Sequence, residues 1–404
     1  MVGSMGRFRV RPGAWSAACK RADRRPPLSR PPLEQPSTSY EKQLEQKVKS
    51  ITLALRGVLG GANLEVISSP PAAFRYKCGF GVWRDQGTVG FAMPDPRTGK
   101  SVEIRSHFAA SSGITKMMSR LLDPLNHISL ARRGLCTYTM FSTCDVPTAG
   151  KPEEGLVALG YNVALGEQWL QDVGLPIADA LGAMVVGRGP RGERVAASPT
   201  GQVLSGDGSH LVQRFAVDGK VYPQHRRDGI FVQCNVPVGA QMLSWSTQQA
   251  AAVSSSTQSK LLFEPYCGNG NFSLPLACFF GCVVASDVTA AAVDAAKVCA
   301  KAVGVHNVAF SVKDADAACI GIEDELREGC FTALLNPPRE GASRDVMEAC
   351  THAEAVIYVS CNPATLHRDI QLLRHTHAVT AAALFDQFPF SSHVELGVTL
   401  ERRR

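Results

Sequence analysis

From residue 260 onward, short apolar runs alternate with helix-forming stretches, and this alternation limits the fold more than any other feature of the chain. The runs 261–263, 283–287, 308–312, 332–335 and 356–359 are rich in β-branched and aromatic residues and have strand length. Helix-forming segments between them predict an α/β domain with a doubly wound, Rossmann-like parallel sheet. Ligands of such sheets bind outside the carboxyl ends of the strands, so the residues just after each run are the ones to read for chemistry.

The run 356–359 passes into Ser360-Cys361-Asn362-Pro363. Asparagine is a good helix N-cap and proline suits the first helical position. Cys361 is therefore predicted where a strand ends and a helix begins. The thiolate is the reactive form of cysteine, and the partial positive charge of a helix N-terminus lowers a thiol pKa. A small buried hydrophobe is the commoner role of a single cysteine. Its placement favours a nucleophile.

After the run 261–263 comes the turn Cys267-Gly268-Asn269-Gly270-Asn271-Phe272, and the run 283–287 ends in Asp287. An acid about twenty residues after a glycine turn is spaced to bind a ribose hydroxyl. The turn lacks a third, phosphate-cradling glycine, and no P-loop occurs. It suits a nucleoside cofactor without phosphate, such as S-adenosylmethionine; a tight structural turn is the other reading. The fourth run ends in Asn336-Pro337-Pro338-Arg339, a rigid loop at the same sheet edge. Near the end, His393-Val394-Glu395-Leu396-Gly397-Val398 sets a glutamate inside a strand-like run. Buried glutamates are rare, so an edge-strand surface carboxylate and a site residue are both compatible with the pattern.

The preceding half has a different pattern. An amphipathic helix over 40–57 is followed by strand-like runs at 74–83, 88–93, 101–104, 136–141 and 155–163, with weaker ones at 184–187, 202–204 and 211–217. Helices are predicted at 114–122 and 166–173. This is an α+β domain with an antiparallel sheet. The expected division is a leader over 1–38, the α+β domain over 39–239, and the Rossmann-like domain over 240–404.

The net charge of +6 is carried by the leader: residues 1–33 hold eight Arg and Lys against Asp23 alone, a net +7, so the rest is near −1. A basic, acid-poor leader has the composition of an organellar transit peptide, with a basic tail that touches RNA as the alternative. An organelle, mitochondrial or other, is the expected destination, and the cytoplasm the alternative. Thirteen cysteines without framework spacing point to reduced thiols. With no CxxC pair, neither a metal site nor an iron–sulfur cluster is expected. No apolar run has the length of a membrane span.

Together the motifs resemble one family. Tyr266-Cys267-Gly268-Asn269-Gly270-Asn271-Phe272, Ser360-Cys361-Asn362-Pro363, Phe385-Asp386-Gln387-Phe388-Pro389 and His393-Val394-Glu395 are similar to the tRNA (uracil-5-)-methyltransferases, the bacterial T-loop branch in particular. The likeness also takes in Ser39-Tyr40-Glu41-Lys42-Gln43-Leu44, Arg75-Tyr76 and Phe231-Val232-Gln233-Cys234-Asn235, and it runs from about residue 39 to the end.

The resemblance implies methylation of uridine C5 in RNA, with S-adenosylmethionine as cofactor, the tRNA T-arm as partner and a monomeric chain. It implies Cys361 as nucleophile and Glu395 as base, with cofactor contacts at Gln233, Tyr266, Asn271, Asp287 and Asn336. Phe231 is a candidate stacking platform, a core phenylalanine being equally compatible. Asn336 departs from the aspartate usual in the family, keeping the size and an acceptor oxygen but losing the charge. That departure motivates the alternative of a catalytically impaired RNA chaperone or ribosome-assembly factor on the same scaffold; ribosomal RNA as target is a further one. Arg132-Arg133, 188–194, His225-Arg226-Arg227 and 402–404 are the basic clusters able to meet phosphates.

Overall fold

The computed structural model describes residues 39–95, 98–143, 154–204, 210–257, 260–320 and 330–403. The leader 1–38 lies outside the described residues, as do parts of the 94–99 turn and the 254–260 connector.

In chain order the strands are β1 (Leu64–Ile67), β2 (Lys77–Asp85), β3 (Thr88–Pro94), β4 (Ser101–Ile104), β5 (Leu135–Ser142), β6 (Gly155–Tyr161), β7 (Met184–Arg188), β8 (Arg194–Ala197), β9 (Val203–Leu204), β10 (Leu211–Val217), β11 (Lys220–Arg226), β12 (Leu261–Glu264), β13 (Cys282–Asp287), β14 (Val308–Val312), β15 (Phe331–Leu335), β16 (Ala355–Ser360), β17 (His377–Phe385) and β18 (Glu395–Arg402). One sheet has the order β4-β3-β2-β5-β6-β7-β8-β9, antiparallel except at β6 and β7. The other has the order β1-β17-β18-β16-β15-β12-β13-β14. Strands β16, β15, β12, β13 and β14 run parallel, as the alternation predicts. Strand β18 is antiparallel to both its neighbours, β16 and β17.

Every residue of β12, β15 and β16 is buried, as befits central strands covered on both faces. On one face Met242 and Trp245 of the helix Val236–Ser256, with Phe215 and Tyr222 of the β10–β11 hairpin, pack on Leu334, Ile357 and Phe385. On the other, Ile51 and Leu55 of the helix Tyr40–Ala54 join Leu366 and Ile370 of the helix Pro363–Leu373 over Phe331, Val356 and Tyr358. Asn235 caps Val236–Ser256 by accepting from Val238 N at 3.2 Å. Asn362 caps Pro363–Leu373 by accepting from Ala364 N at 3.1 Å, with proline next, as predicted.

Two features depart from the sequence reading. The helix Tyr40–Ala54 and β1 belong to the second sheet: β1 pairs in parallel with β17 at its edge. The first sheet is therefore nested inside the second body, where a single division at 239 was expected. Glu395 also begins an interior strand, with β16 and β17 on its two sides, so the edge-strand reading fails. Among the described residues no helix is long and apolar enough to cross a membrane.

Gly397 marks how tightly β18 is packed: a Cβ there would stand 2.7 Å from Trp245 Cζ3 and 3.1 Å from Phe385 Cε2. Overpacking of this kind costs about 1–3 kcal/mol, so Gly397→Ala is expected to lower the unfolding free energy from urea titration by that amount. A change below about 0.5 kcal/mol, the range of surface substitutions, would show that the Trp245 contact gives way freely.

Candidate functional site

Strand register brings the two reactive side chains together. In the β16–β18 ladder Ser360 lies opposite Leu396, and in the β17–β18 ladder Phe385 lies opposite Glu395. An antiparallel ladder moves one residue forward on one strand for each residue back on the other. Cys361, just past β16, is thus set opposite Glu395 at the start of β18. Cys361 is half-buried and Glu395 is 5% exposed. Both line a cavity of about 970 Å³, and so do Gln233, Tyr266, Asn271, Asp287, Asn336 and Phe231. All eight residues given a catalytic, cofactor or stacking role from the sequence therefore line one space.

The loop from Asn336 to Ser343 forms one wall. Asn362 Nδ2 donates to Arg339 O at 2.9 Å, fastening this loop to the turn that carries Cys361. Asp369 Oδ2 accepts from Ala342 N at 3.1 Å and from the Tyr358 hydroxyl at 2.6 Å. Ser343 N donates to the Tyr266 hydroxyl at 3.1 Å. At Gly341, φ is +84° and a Cβ would come within 2.7 Å of Asp369 Oδ2, so only glycine fits this close approach.

The opposite end is a cofactor-shaped pocket. Gly268, at φ +53°, lines the cavity with no atom within 4 Å of where its Cβ would be. Its N–H donates to Asp287 Oδ2 at 3.0 Å, while Thr289 N donates to Oδ1 at 2.8 Å. Each carboxylate oxygen keeps a lone pair for a ribose hydroxyl. Asp314 and Asp316 extend this acidic lining, and acidic walls suit a cationic nucleoside. The residues present fit S-adenosylmethionine.

Gln233 and Phe231 come from the loop between β11 and the helix Val236–Ser256. Ile230 and Val232 are buried and Phe231 is 71% exposed, so the core-phenylalanine reading falls. Arg226, fully buried, donates to Gln233 O at 2.7 Å and to Ser142 O at 3.2 Å. Arg188 and Arg194 pair with Asp228 at 3.2 and 3.3 Å. These members of the basic clusters brace the loop from inside and are not free to hold phosphates.

The electrostatics correct one expectation. A helix N-terminus was expected to lower the Cys361 thiol; burial and the neighbouring Glu395 instead push it above the ordinary value. The positive charge of Arg339 opposes that rise. Burial pushes the Glu395 carboxyl up to about 8, again against the pull of Arg339. Arg339 was read from the sequence only as part of a rigid loop; the structure makes it the cation that serves both reactive groups. Phe388 and His393, also lining the cavity, had no separate signal in the sequence. Among the described residues no group of three or more His, Cys, Asp or Glu side chains is arranged to hold a metal ion.

A family model described as tRNA (Uracil-5-)-methyltransferase matches residues 39–403. The tRNA/tmRNA (uracil-C(5))-methyltransferase of Idiomarina loihiensis is 31% identical over 382 residues, spanning 91% of this chain and 98% of its own. That of Shewanella amazonensis is 32% identical over 378 residues, spanning 90% and 97%. Among solved structures, the Pyrococcus abyssi tRNA (uracil-54, C5)-methyltransferase in complex with S-adenosyl-L-homocysteine has the same fold, with a TM-score of 0.65 at 19% identity over 90% of this chain and 83% of that one.

Because Arg339 holds the Cys361 thiol down, Arg339→Met is expected to slow carbamidomethylation of Cys361 at pH 8 and move its pH profile upward, as read by peptide mapping. An unchanged profile would remove Arg339 from the thiol's surroundings.

Proposed function

The chain belongs to the tRNA (uracil-5-)-methyltransferase family, and from that premise we propose that it methylates C5 of a uridine in the tRNA T-loop, with Cys361 as nucleophile and Glu395 as base. The observation that carries this reading is the β16–β18 register, which sets a thiol and a buried carboxyl side by side in the cavity that also holds the Gly268–Asp287 pocket.

C5 of uracil is a weak nucleophile until C6 is attacked. The Cys361 thiolate forms a bond to C6, and the C5–C6 π pair moves to give an enolate at the C4 oxygen. Bound S-adenosylmethionine supplies an electrophilic methyl group to C5; Gln233, Tyr266, Asn271, Asp287 and Asn336 are the residues that would hold it. Glu395 then takes the C5 proton, the C–H pair re-forms the C5–C6 double bond, and the S–C6 bond breaks to return the thiolate. A uridine reaches this depth only outside its stack, and the exposed Phe231 ring offers a face for it to rest on.

The charges order these events. Adjacent negative groups disfavour one another, so the thiolate forms best beside protonated Glu395. Once sulfur is bonded to C6 its charge is gone. Glu395 can then ionise beside Arg339, ready for the C5 proton.

The direct test is methyl transfer from labelled S-adenosylmethionine to an unmodified tRNA transcript. Wild-type transfer that vanishes in Cys361→Ala is the expected result, and it would mean that Asn336 suffices without the carboxylate. Transfer absent in wild type but gained in Asn336→Asp would favour the RNA-binding alternative. A second expectation follows from the raised Glu395 and Cys361: the base acts only when ionised and the thiol only as thiolate, so turnover should climb from pH 6 to pH 9 with no plateau below about pH 8. Turnover that is flat from pH 6 to 9 would take the base role away from Glu395.

A further inference from the structure

We propose that Lys47, Tyr40 and Asp386 are positioning residues through which the helix Tyr40–Ala54 sets Glu395 for the second half of the reaction. The proposal rests on the reading of Glu395 as the base.

The residues 386–394 link β17 to Glu395 at the start of β18, and Phe388, His393 and Val394 among them line the cavity. One face of the helix holds this link. Lys47, only 6% exposed, lies 2.6 Å from Asp386 Oδ1 and donates to Phe388 O at 3.1 Å and His393 O at 3.0 Å. All three ammonium donors are thus spent on the link. Tyr40, on the same face two turns earlier at i−7, donates to Asp386 Oδ2 at 2.8 Å and accepts from Ser69 N at 2.8 Å. Between them Gln43 donates to Ser391 O at 3.1 Å and accepts from Phe390 N at 3.3 Å. Phe390 sits at φ +60°, a region that non-glycine residues rarely enter unless their surroundings impose it. Its ring meets Tyr40 edge-on, with centroids 5.9 Å apart.

The cluster also reaches the cofactor side. Asn235 Nδ2 donates to Ser69 Oγ at 2.7 Å and to Gln387 O at 3.3 Å, and Gln233 lies two residues before Asn235. Neither Tyr40, Lys47 nor Asp386 lines the cavity, so whatever they do for the reaction passes through the link. A buried ion pair is weak evidence for stability. One that also fixes two carbonyls of the segment leading into a base is better understood as holding geometry.

The two halves of the reaction make this testable. Adduct formation with 5-fluorouridine RNA needs Cys361 but stops before proton removal, so it reports the first half alone. Turnover of ordinary uridine RNA needs Glu395. Tyr40→Phe removes one hydroxyl, and Lys47→Met with Asp386→Asn removes both buried charges together, leaving no unpaired ion. In both variants turnover is expected to fall roughly ten- to hundredfold while 5-fluorouridine adduct formation stays within about twofold of wild type. Methylated, SDS-resistant enzyme–RNA adduct should accumulate on ordinary RNA. Equal slowing of both steps, or turnover unchanged in both variants, would overturn the proposal. A wild-type chain that forms no 5-fluorouridine adduct would overturn the parent reading first, and this one with it.

Discussion

The antiparallel insertion of β18 between β16 and β17 is the constraint from which the site follows. Parallel strands β16 and β15 alone would end at a common edge with nothing facing the thiol of Cys361. Running β18 the other way starts a strand at that edge, and the pairing of Ser360 with Leu396 puts Glu395 beside Cys361. Side chains alternate faces along a strand, so a slip of one residue would turn Glu395 away and bring Val394 or Leu396 to the thiol. The register is held from both sides, by β16 and by β17, and by the close approach of Trp245 over Gly397.

Burial then sets the chemistry. A dry site penalises charge on both the thiol and the carboxyl, and Arg339 is the counterweight to each. Because its guanidinium comes from the loop at the end of β15, its backbone has to be tied to the turn after β16. Asn362 and Thr365 do this by donating to Arg339 O. The cap that starts the helix and the cation that tunes the thiol are thereby one construction.

Much of this was legible in the sequence, for identifiable reasons. β12, β15 and β16 are largely apolar because both faces are covered, and their ends, like that of β13, carry polar motifs because ligands sit there. Strand β17 went unread because the stretch His377–Phe385 contains four alanines, which carry little strand propensity. Strand β1 has four residues and no alternation to detect. The hairpin β10–β11 did have a signal: Asp218-Gly219, both at positive φ, is a two-residue turn of the favoured kind. The raised thiol was beyond local reasoning. It depends on Glu395 and Arg339, which the chain brings to Cys361 only through the sheet.

The same distance in sequence explains why the chain is nested. Strand β1 precedes the first sheet and pairs with β17, which follows it by some three hundred residues of intervening chain, a contact whose closure entropy has to be offset by burial. What the nesting achieves is two crossings between the bodies, one after β1 and one before β10. The first sheet is stitched to the site loop as well: Tyr76 N donates to Cys234 O at 2.8 Å, and the buried Arg226 reaches Ser142 O on the first sheet and Gln233 O on the site loop. An appended sheet on a single linker would leave its orientation to the linker. Here the loop bearing Phe231 and Gln233 is itself tied to the first sheet, so its place at the cavity is set from both bodies.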